Sequence, residues 1–257
     1  MRFCSLGSGS EGNALLVECE IGARIVRLLI DCGFSPKEFG ARLSRFDLRP
    51  AQIDAILVTH EHGDHIGGAP RLAAAESIAL YMTAGTALAG LKDQTAVPVN
   101  LIDSHACLQI GGVCIEPVPV PHDAREPVQF VIDDGKTRLG VLTDLGRSTP
   151  HVIRAMSRLD AIMLECNHDS AMLQASDYPE TLKRRIAGGY GHLANEASAK
   201  LLAQIDHSRL HTVVAAHLSR KNNHPDLARQ ALAGAWGQDP DRILVADQDC
   251  GLAWVAL

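Results

Sequence analysis

The segment Ile53–His65 reads IDAILVTHEHGDH and closes with four metal-binding side chains in six residues: His60, His62, Asp64 and His65. Its apolar start predicts a strand. On an extended chain residues two apart face the same way, so His60 and His62 can grip one ion together. Gly63 then lets the chain turn, which aims Asp64 and His65 at a second ion beside the first. Imidazole nitrogens and carboxylate oxygens suit zinc, and also manganese or iron where oxygen ligands are more numerous. The plainer reading is a polar, histidine-rich turn, but packing gives no reason for four such groups at one strand end.

The HxHxDH spacing resembles the signature of the metallo-β-lactamase fold superfamily. That resemblance implies an α/β fold of the metallo-β-lactamase type, an αββα sandwich of two mixed sheets flanked by helices. It also implies that later strand ends bring the remaining ligands. His122 follows the run Pro117–Pro121 and is placed for the first ion. Asp144 ends the strand Leu139–Leu142 and would bridge both ions. His217 ends the strand Thr212–Ala216 and would complete the second site. His224 competes for that role from a loop after Asn222-Asn223, and His217 is preferred. Asp31 matches the early family aspartate that hydrogen-bonds to a ligand, while Glu61 is expected to face outward. Leu29–Gly33 and Leu142–Gly146 each end an apolar strand in Asp-x-Gly. Ordinary turn chemistry explains that echo as readily as a shared role does.

Two divalent ions balanced by Asp64, Asp144 and a shared hydroxide keep a net positive charge, suited to a phosphodiester. Two ions about 3.5–4 Å apart would make the water between them a nucleophile, positioned by Asp64 and Asp144. Fold does not settle function here, because the superfamily holds lactamases, thioesterases, lactonases and nucleases. Glu165, at the end of the apolar run Ala161–Leu164, and His192 are more selective. Glu165 would hold His192 as an imidazolium, and His192 would protonate a departing alkoxide. Alternatively, Glu165 makes a structural salt bridge and His192 caps the helix that begins near Asn195.

The order Glu165, His192, His217 resembles the phosphodiesterase side of the superfamily, including the tRNA 3′-processing nucleases. Closer still is the WalJ/YycJ-type group of small bacterial exonucleases. The likeness runs through Ser5–Ser10 with Gly12-Asn13, Asp31-Cys32-Gly33, THEHGDHIGG, Glu165–Asp169, Leu182–Ile186, Gly191–Asn195 and His217–Asn223. Glu11 and Ala194 depart from the group's pattern, and neither removes a ligand. The resemblance implies a 5′→3′ exonuclease on double-stranded DNA, linked to mismatch repair, with two divalent metal ions as cofactor.

Lys183-Arg184-Arg185 and Arg220-Lys221 flank these pieces and could hold backbone phosphates; the first run is equally a solvated helix face. The loop Gly7–Asn13, with Ser10 and Asn13, could present N–H groups to phosphate or be a tight hairpin turn. It has no GK[ST] and is not a nucleotide P-loop. His168-Asp169 and Cys32 are candidates to line the pocket, with packing the simpler account. Tyr178 and Tyr190 are the best base-stacking candidates among ten aromatics (4%), although core packing is the simpler role for them too.

These groups need a scaffold of alternating strands and helices. Strands are expected at Ala14–Glu18, Ile25–Ile30, Ala55–Val58, Ile115–Val120, Gln129–Ile132, Leu139–Leu142, Ala161–Leu164 and Thr212–Ala216. Helices are expected at Pro36–Phe46, Gly67–Ala75, Tyr178–Ala187, Asn195–Ile205 and Asp226–Ala235. Interleaving of this kind implies layered α/β structure. The 257 residues are 46% hydrophobic, enough for a sizeable core in one domain. Fewer than fifty residues separate Asp144 from His192, which leaves no room for an inserted cap domain.

A net charge of −6 argues against non-specific nucleic-acid binding but not against a local cationic site. Seven cysteines without a CxxC fit reduced thiols, and neither a signal peptide nor a membrane span is read, so a cytoplasmic protein is expected. The sequence is silent on oligomeric state. Two alternatives stay open: a small-molecule hydrolase of the same fold, acting on a cyclic phosphodiester, thioester or lactone, and a binding module that keeps its metals structurally.

Overall fold

Strand Ala14–Ile21 sends Leu15, Val17 and Cys19 into one apolar cluster, and Ala14 and Leu16 into another. A strand buried on both faces must sit between two packed layers, which decides the architecture. The computed structural model describes residues 1–91 and 97–257. Strands β1 (Arg2–Gly7), β2 (Ala14–Ile21), β3 (Arg24–Ile30), β4 (Ala55–Leu57), β5 (Ala79–Thr83) and β6 (Val99–Ile102) build most of the first sheet. Strands β7 (Leu108–Ile110), β8 (Val113–Pro119), β9 (Val128–Asp133), β10 (Arg138–Leu142), β11 (Ala161–Glu165), β12 (Thr212–Ala216) and β13 (Ile243–Val245) build the second. The last strand, β14 (Leu252–Ala256), returns to the first sheet beside β1. The orders are β14-β1-β2-β3-β4-β5-β6 and β13-β12-β11-β10-β9-β8-β7.

Both sheets are mixed. From β3 to β6 and from β10 to β13 neighbours run parallel, and the remaining pairs are antiparallel. Parallel neighbours need a crossover. Helices α1 (Pro36–Leu43), α2 (Gly63–Ile66), α3 (Ala69–Glu76) and α4 (Ala84–Gly90) serve the first sheet. Helices α5 (Pro150–Ala155), α6 (Ser170–Ala175), α7 (Glu180–Ile186), α8 (Asn195–Gln204) and α9 (Pro225–Trp236) serve the second. Phe3, Val17, Leu28, Phe130, Val141, Met163 and Val214 pack between the sheets. Phe39, Leu43 and Leu72 cover the outer face of the first sheet, and Val152, Leu201 and Leu232 that of the second. The fold is an αββα sandwich of the metallo-β-lactamase type. Among the described residues no helix is long and apolar enough to cross a membrane.

The eight expected strands and five expected helices are present, with shifted ends. One helix differs in kind: in place of a single segment Gly67–Ala75, the chain forms α2 from Gly63, breaks at Gly67-Gly68, and resumes as α3. Gly63 therefore turns the chain by starting a helical turn. Asp64 and His65 reach the site from that turn. Strands β1, β5, β6, β7, β13 and β14 and helices α4, α5 and α6 add to the expected set; most are short and carry little periodic signal.

Backbone conformation gives the Asp-x-Gly echo a physical content. Asp31, immediately after β3, has φ 61°; Asp144, two residues after β10, has φ 53°; His217, immediately after β12, has φ 55°. Non-glycine residues rarely adopt this left-handed conformation, although Asp and His tolerate it better than most. In each case it turns the chain out of the sheet at the residue that enters the site.

Close backbone approach explains Gly33. A Cβ there would overlap the backbone of Asp64 on α2, and neighbouring hydrogen bonds (Gly33 N–H to Asn13 O at 3.1 Å, Asn13 N–H to Asp64 O at 2.8 Å) leave little room to move. Gly33→Ala is expected to destabilise the fold by about 1–3 kcal/mol through overpacking, while Gly234→Ala, in open space on α9, should gain up to about 1 kcal/mol. Urea unfolding midpoints of the two variants measure both, and an unshifted midpoint for Gly33→Ala would contradict the packing argument.

Candidate metal centre

The rim where β3, β4, β10, β11 and β12 end collects the ligand candidates. Thr59 follows β4 and organises the first of them. Its N–H donates to Asp31 Oδ1 at 2.8 Å, its hydroxyl lies 2.9 Å from Asp31 Oδ2, and the same hydroxyl is 2.9 Å from His60 Nδ1. His65 Nδ1 donates to Asp31 Oδ2 at 2.8 Å, and His122 Nδ1 donates to the Gly191 carbonyl at 3.1 Å. A carboxylate or carbonyl only accepts, so the proton on His65 and on His122 sits at Nδ1. Each Nε2 then keeps a lone pair, the arrangement a metal-binding histidine needs.

Four groups of potential ligand atoms meet, each within 4.8 Å: His60, His62 and His122; Asp64, His65 and His217; His60, His65 and Asp144; and Asp144, Glu165, His192 and His217. His62 Nδ1 lies 3.2 Å from His122 Nε2, and His65 Nε2 lies 3.0 Å from Asp144 Oδ2 and 3.5 Å from Asp64 Oδ2. His217 Nε2 is 3.6 Å from Asp64 Oδ2. Among the described residues, His60 Nε2, His217 Nε2 and Asp144 Oδ2 are buried without a hydrogen-bond partner. Leaving buried polar atoms unpaired is costly. Three of them converging in one cluster fit divalent cations.

Protonation tendencies agree. Considered as protein groups alone, burial depresses His60 well below the ordinary histidine range. Burial opposes charge on His65 and His217 as well, but the Asp144 carboxylate overrides it, lifting His65 well above the usual range and His217 to about 10. Burial would raise Asp64 and Asp144; neighbouring histidines instead hold both below the carboxylate range. The carboxylates thus demand positive charge, which a metal would supply in place of protons.

Glu165, wholly buried at the end of β11, forms a second layer. It accepts from the N–H groups of Leu145 and Leu193, both at 3.1 Å, and its Oε1 is 2.8 Å from His192 Nδ1 and 3.3 Å from His217 Nδ1. Burial pushes the Glu165 carboxyl up, yet the His192 charge brings it down to about 2. Burial also works against a charged His192, and Glu165 reverses this, raising His192 above its ordinary value. His192 stays partly open to a cleft of about 190 Å³ lined by Ser10, His62, Asp64, Asp123, Asp144, Arg185 and His217.

Of the remaining candidates, Ser10 and Arg185 line this cleft. Several others need correction. Asn13 is buried; its side chain accepts from Gly9 N–H at 2.9 Å, and its amide nitrogen lies 3.3 Å from Asp64 Oδ2 and 3.1 Å from His65 Nε2, so it ties the hairpin to α2 and braces the ligand cluster rather than facing substrate. The Gly7–Asn13 loop is the hairpin of β1 and β2. The N–H groups of Gly7, Ser8, Gly9, Glu11, Gly12 and Asn13 already have partners within the protein. Arg184 lies on a separate hollow with His168, Ser170 and Lys183, outside the cleft. Arg220 is clamped by Glu11 at 3.1 Å and Asp249 at 2.6 Å, and Lys221 is directed at Asp177 and the Tyr178 ring. Lys183 is buried, donating to Gln174 O at 2.7 Å.

Glu61 is half-buried rather than outward, accepting from Arg125 N–H at 2.7 Å. His224 is exposed and caps α9, which removes it from contention with His217. Asp169 caps α6, and Cys32 is fully buried. Tyr190, expected to pack, is 58% exposed. Sequence reasoning missed Thr59, Asp123 and Ser8; the Ser8 hydroxyl accepts from His217 N–H at 2.9 Å. Thr59 lies inside the recognised motif and Asp123 directly follows His122, so adjacency was the available signal.

The site and sandwich define the class: the chain belongs to the β-lactamase superfamily, the family model described as beta-lactamase superfamily domain matching residues 26–217. It is a metal-dependent hydrolase. It is similar to the exodeoxyribonuclease YycJ of Bacillus anthracis, 33% identical over 91% of this chain and 88% of that one. It is likewise similar to the exodeoxyribonuclease WalJ of Streptococcus pneumoniae, 32% identical over 92% and 88%. The Zn²⁺-bound PqqB of Methylobacterium extorquens superposes over all of both chains with a TM-score of 0.76 at 20% identity, a likeness of fold.

Asp31→Asn removes the charge that orients His65. Metal retention is expected to weaken about 10–100-fold, measured by competition with a chromogenic chelator; retention equal to that of the unaltered protein would assign Asp31 a purely structural place.

Proposed function

We propose that the chain is a phosphodiesterase with a dinuclear metal centre, acting in the cytoplasm as a 5′→3′ exonuclease on double-stranded DNA. The observation that carries this reading is the Glu165–His192 pair, 2.8 Å apart, with His192 lining the cleft beside the ligand cluster and Glu165 buried behind it. His60, His62 and His122 would hold one ion; Asp64, His65 and His217 would hold the other; Asp144 would serve both. Zinc or manganese suits this donor set, and iron is the third option. When bound, two such ions supply charge neutralisation for a phosphodiester and a water acidic enough to attack at neutral pH.

The chain's own residues do the rest. Asp31 and Gly191 fix the rings of His65 and His122. Asp64 and Asp144 orient the attacking water. Glu165 binds His192 at Nδ1, so the proton available to a leaving group is the one on Nε2. A nucleotide alkoxide is a poor leaving group and gains from that proton in the transition state. Lactam, thioester and activated aryl leaving groups depend on it less. The exodeoxyribonuclease names of the two relatives support a nucleic acid substrate. Between Asp144 and His192 lie only α5, β11, α6 and α7, consistent with one domain without a cap and with a cleft open to a duplex.

His192→Ala is expected to lower kcat about 100–10,000-fold on DNA, with a far smaller loss on an aryl thioester. The direct assay supplies Mn²⁺ or Zn²⁺ and duplexes labelled at either end, with and without a 5′-phosphate. Mononucleotides released from the 5′ end are the expected product. Inertness toward every nucleic acid together with rapid thioester turnover would overturn the reading.

A further inference from the structure

Asp123 and Arg185 form an ion pair on the cleft wall that the mechanism above does not use. Arg185 Nε donates to Asp123 Oδ2 at 2.6 Å, and both residues line the cleft. Asp123 is fixed from behind, its N–H donating to the Tyr190 carbonyl at 2.9 Å. Its other oxygen, Oδ1, is 3.5 Å from His122 Nε2 and 3.8 Å from His62 Nε2. The pair therefore stands on the His62/His122 side, whereas Asp64 and His217 belong to the other ligand group. Arg185 is 63% exposed and Asp123 31%. So exposed a pair adds little to stability, so stability does not account for its place.

Its geometry suits another task. With Nε occupied by Asp123, no protein partner among the described residues takes the two Nη groups. Held in this way, the planar fork offers one edge for two parallel bonds to a phosphate. A bare Asp123 carboxylate at the same spot would repel a polyanion. Resting on the phosphodiesterase reading, we propose that Arg185, positioned by Asp123, binds the phosphate next to the scissile one on the His62/His122 side of the cleft. Asp123 is the positioning residue of that subsite. Removing Arg185 has two consequences: a phosphate contact is lost, and an uncompensated carboxylate faces the substrate.

The test compares R185A, R185K, D123N and D123N/R185A with the unaltered metal-loaded protein, on a 5′-phosphorylated duplex. R185A should raise KM about tenfold or more with a smaller change in kcat. It should also reduce the salt slope of binding to an uncleavable phosphorothioate duplex by about one. R185K should stay near R185A, because one ammonium cannot hold Asp123 and present a fork. D123N/R185A should recover part of the loss, because the repelling charge has gone. Thermal melting and elemental analysis run alongside, and D123N and R185K carry the comparison should R185A not fold. An unaltered KM and salt slope in R185A, full rescue by lysine, or a double variant no better than R185A would each overturn the proposal. An unaltered protein inert on DNA but active on another phosphodiester would instead sink the DNA reading. The same variants are then ranked on that phosphodiester, where equal KM values overturn the subsite.

Discussion

Three carboxylates, Asp64, Asp144 and Glu165, stand within bonding distance of a cluster of imidazoles at the rim of two sheets, largely out of water. Charges so placed are tolerable only when paired. Much of the surrounding structure can be read as supplying that pairing. Thr59 and Asp31 fix one ring, the Gly191 carbonyl another, and two backbone N–H groups hold Glu165. Protonated histidines can balance the carboxylates among protein groups, and cations balance them better. Folding and metal binding are coupled through this one electrostatic demand.

Most of the centre was legible because its ligands sit where simple rules operate. His60 and His62 follow an apolar strand, so alternation reaches them, whereas Asp144 and His217 are reached through the resemblance of the HxHxDH motif to a family that draws ligands from later strand ends. Asp31 and Asp144 were also visible as twins, although sequence alone left their Asp-x-Gly resemblance open to ordinary turn chemistry. The left-handed backbone at both is what distinguishes them. Less was legible where packing at a distance decides. Asn13 and Arg220 have the right types to touch a polyanion. Yet Asn13 is held against Asp64 and His65, and Arg220 by Glu11 and Asp249, partners that all lie far off in sequence. No local pattern announces such partners. The short edge strands β7, β13 and β14 were illegible for a related reason, since their burial depends on neighbours rather than on periodicity.

Arginines divide by location in the same way. Arg184 and Arg185 are adjacent on α7, and helical geometry sends them to different surfaces, Arg184 to an outer hollow and Arg185 to the cleft. A basic run in sequence is thus not a basic patch in space. On the proposed reading, local affinity for phosphate in a chain of net charge −6 would rest on Arg185 and the metal centre within one cleft.

The positive φ angles at Asp31, Asp144 and His217 carry a consequence for how this protein can change. Glycine would relax the backbone at all three positions, but it would also remove the groups that buried neighbours bind: Thr59 and His65 at Asp31, His65 and His192 at Asp144, and Glu165 at His217. A substitution there would exchange local backbone strain for unpaired polar groups out of water. The same three side chains therefore hold the rim of the sandwich together and furnish its chemistry, so neither can be altered at these positions without the other.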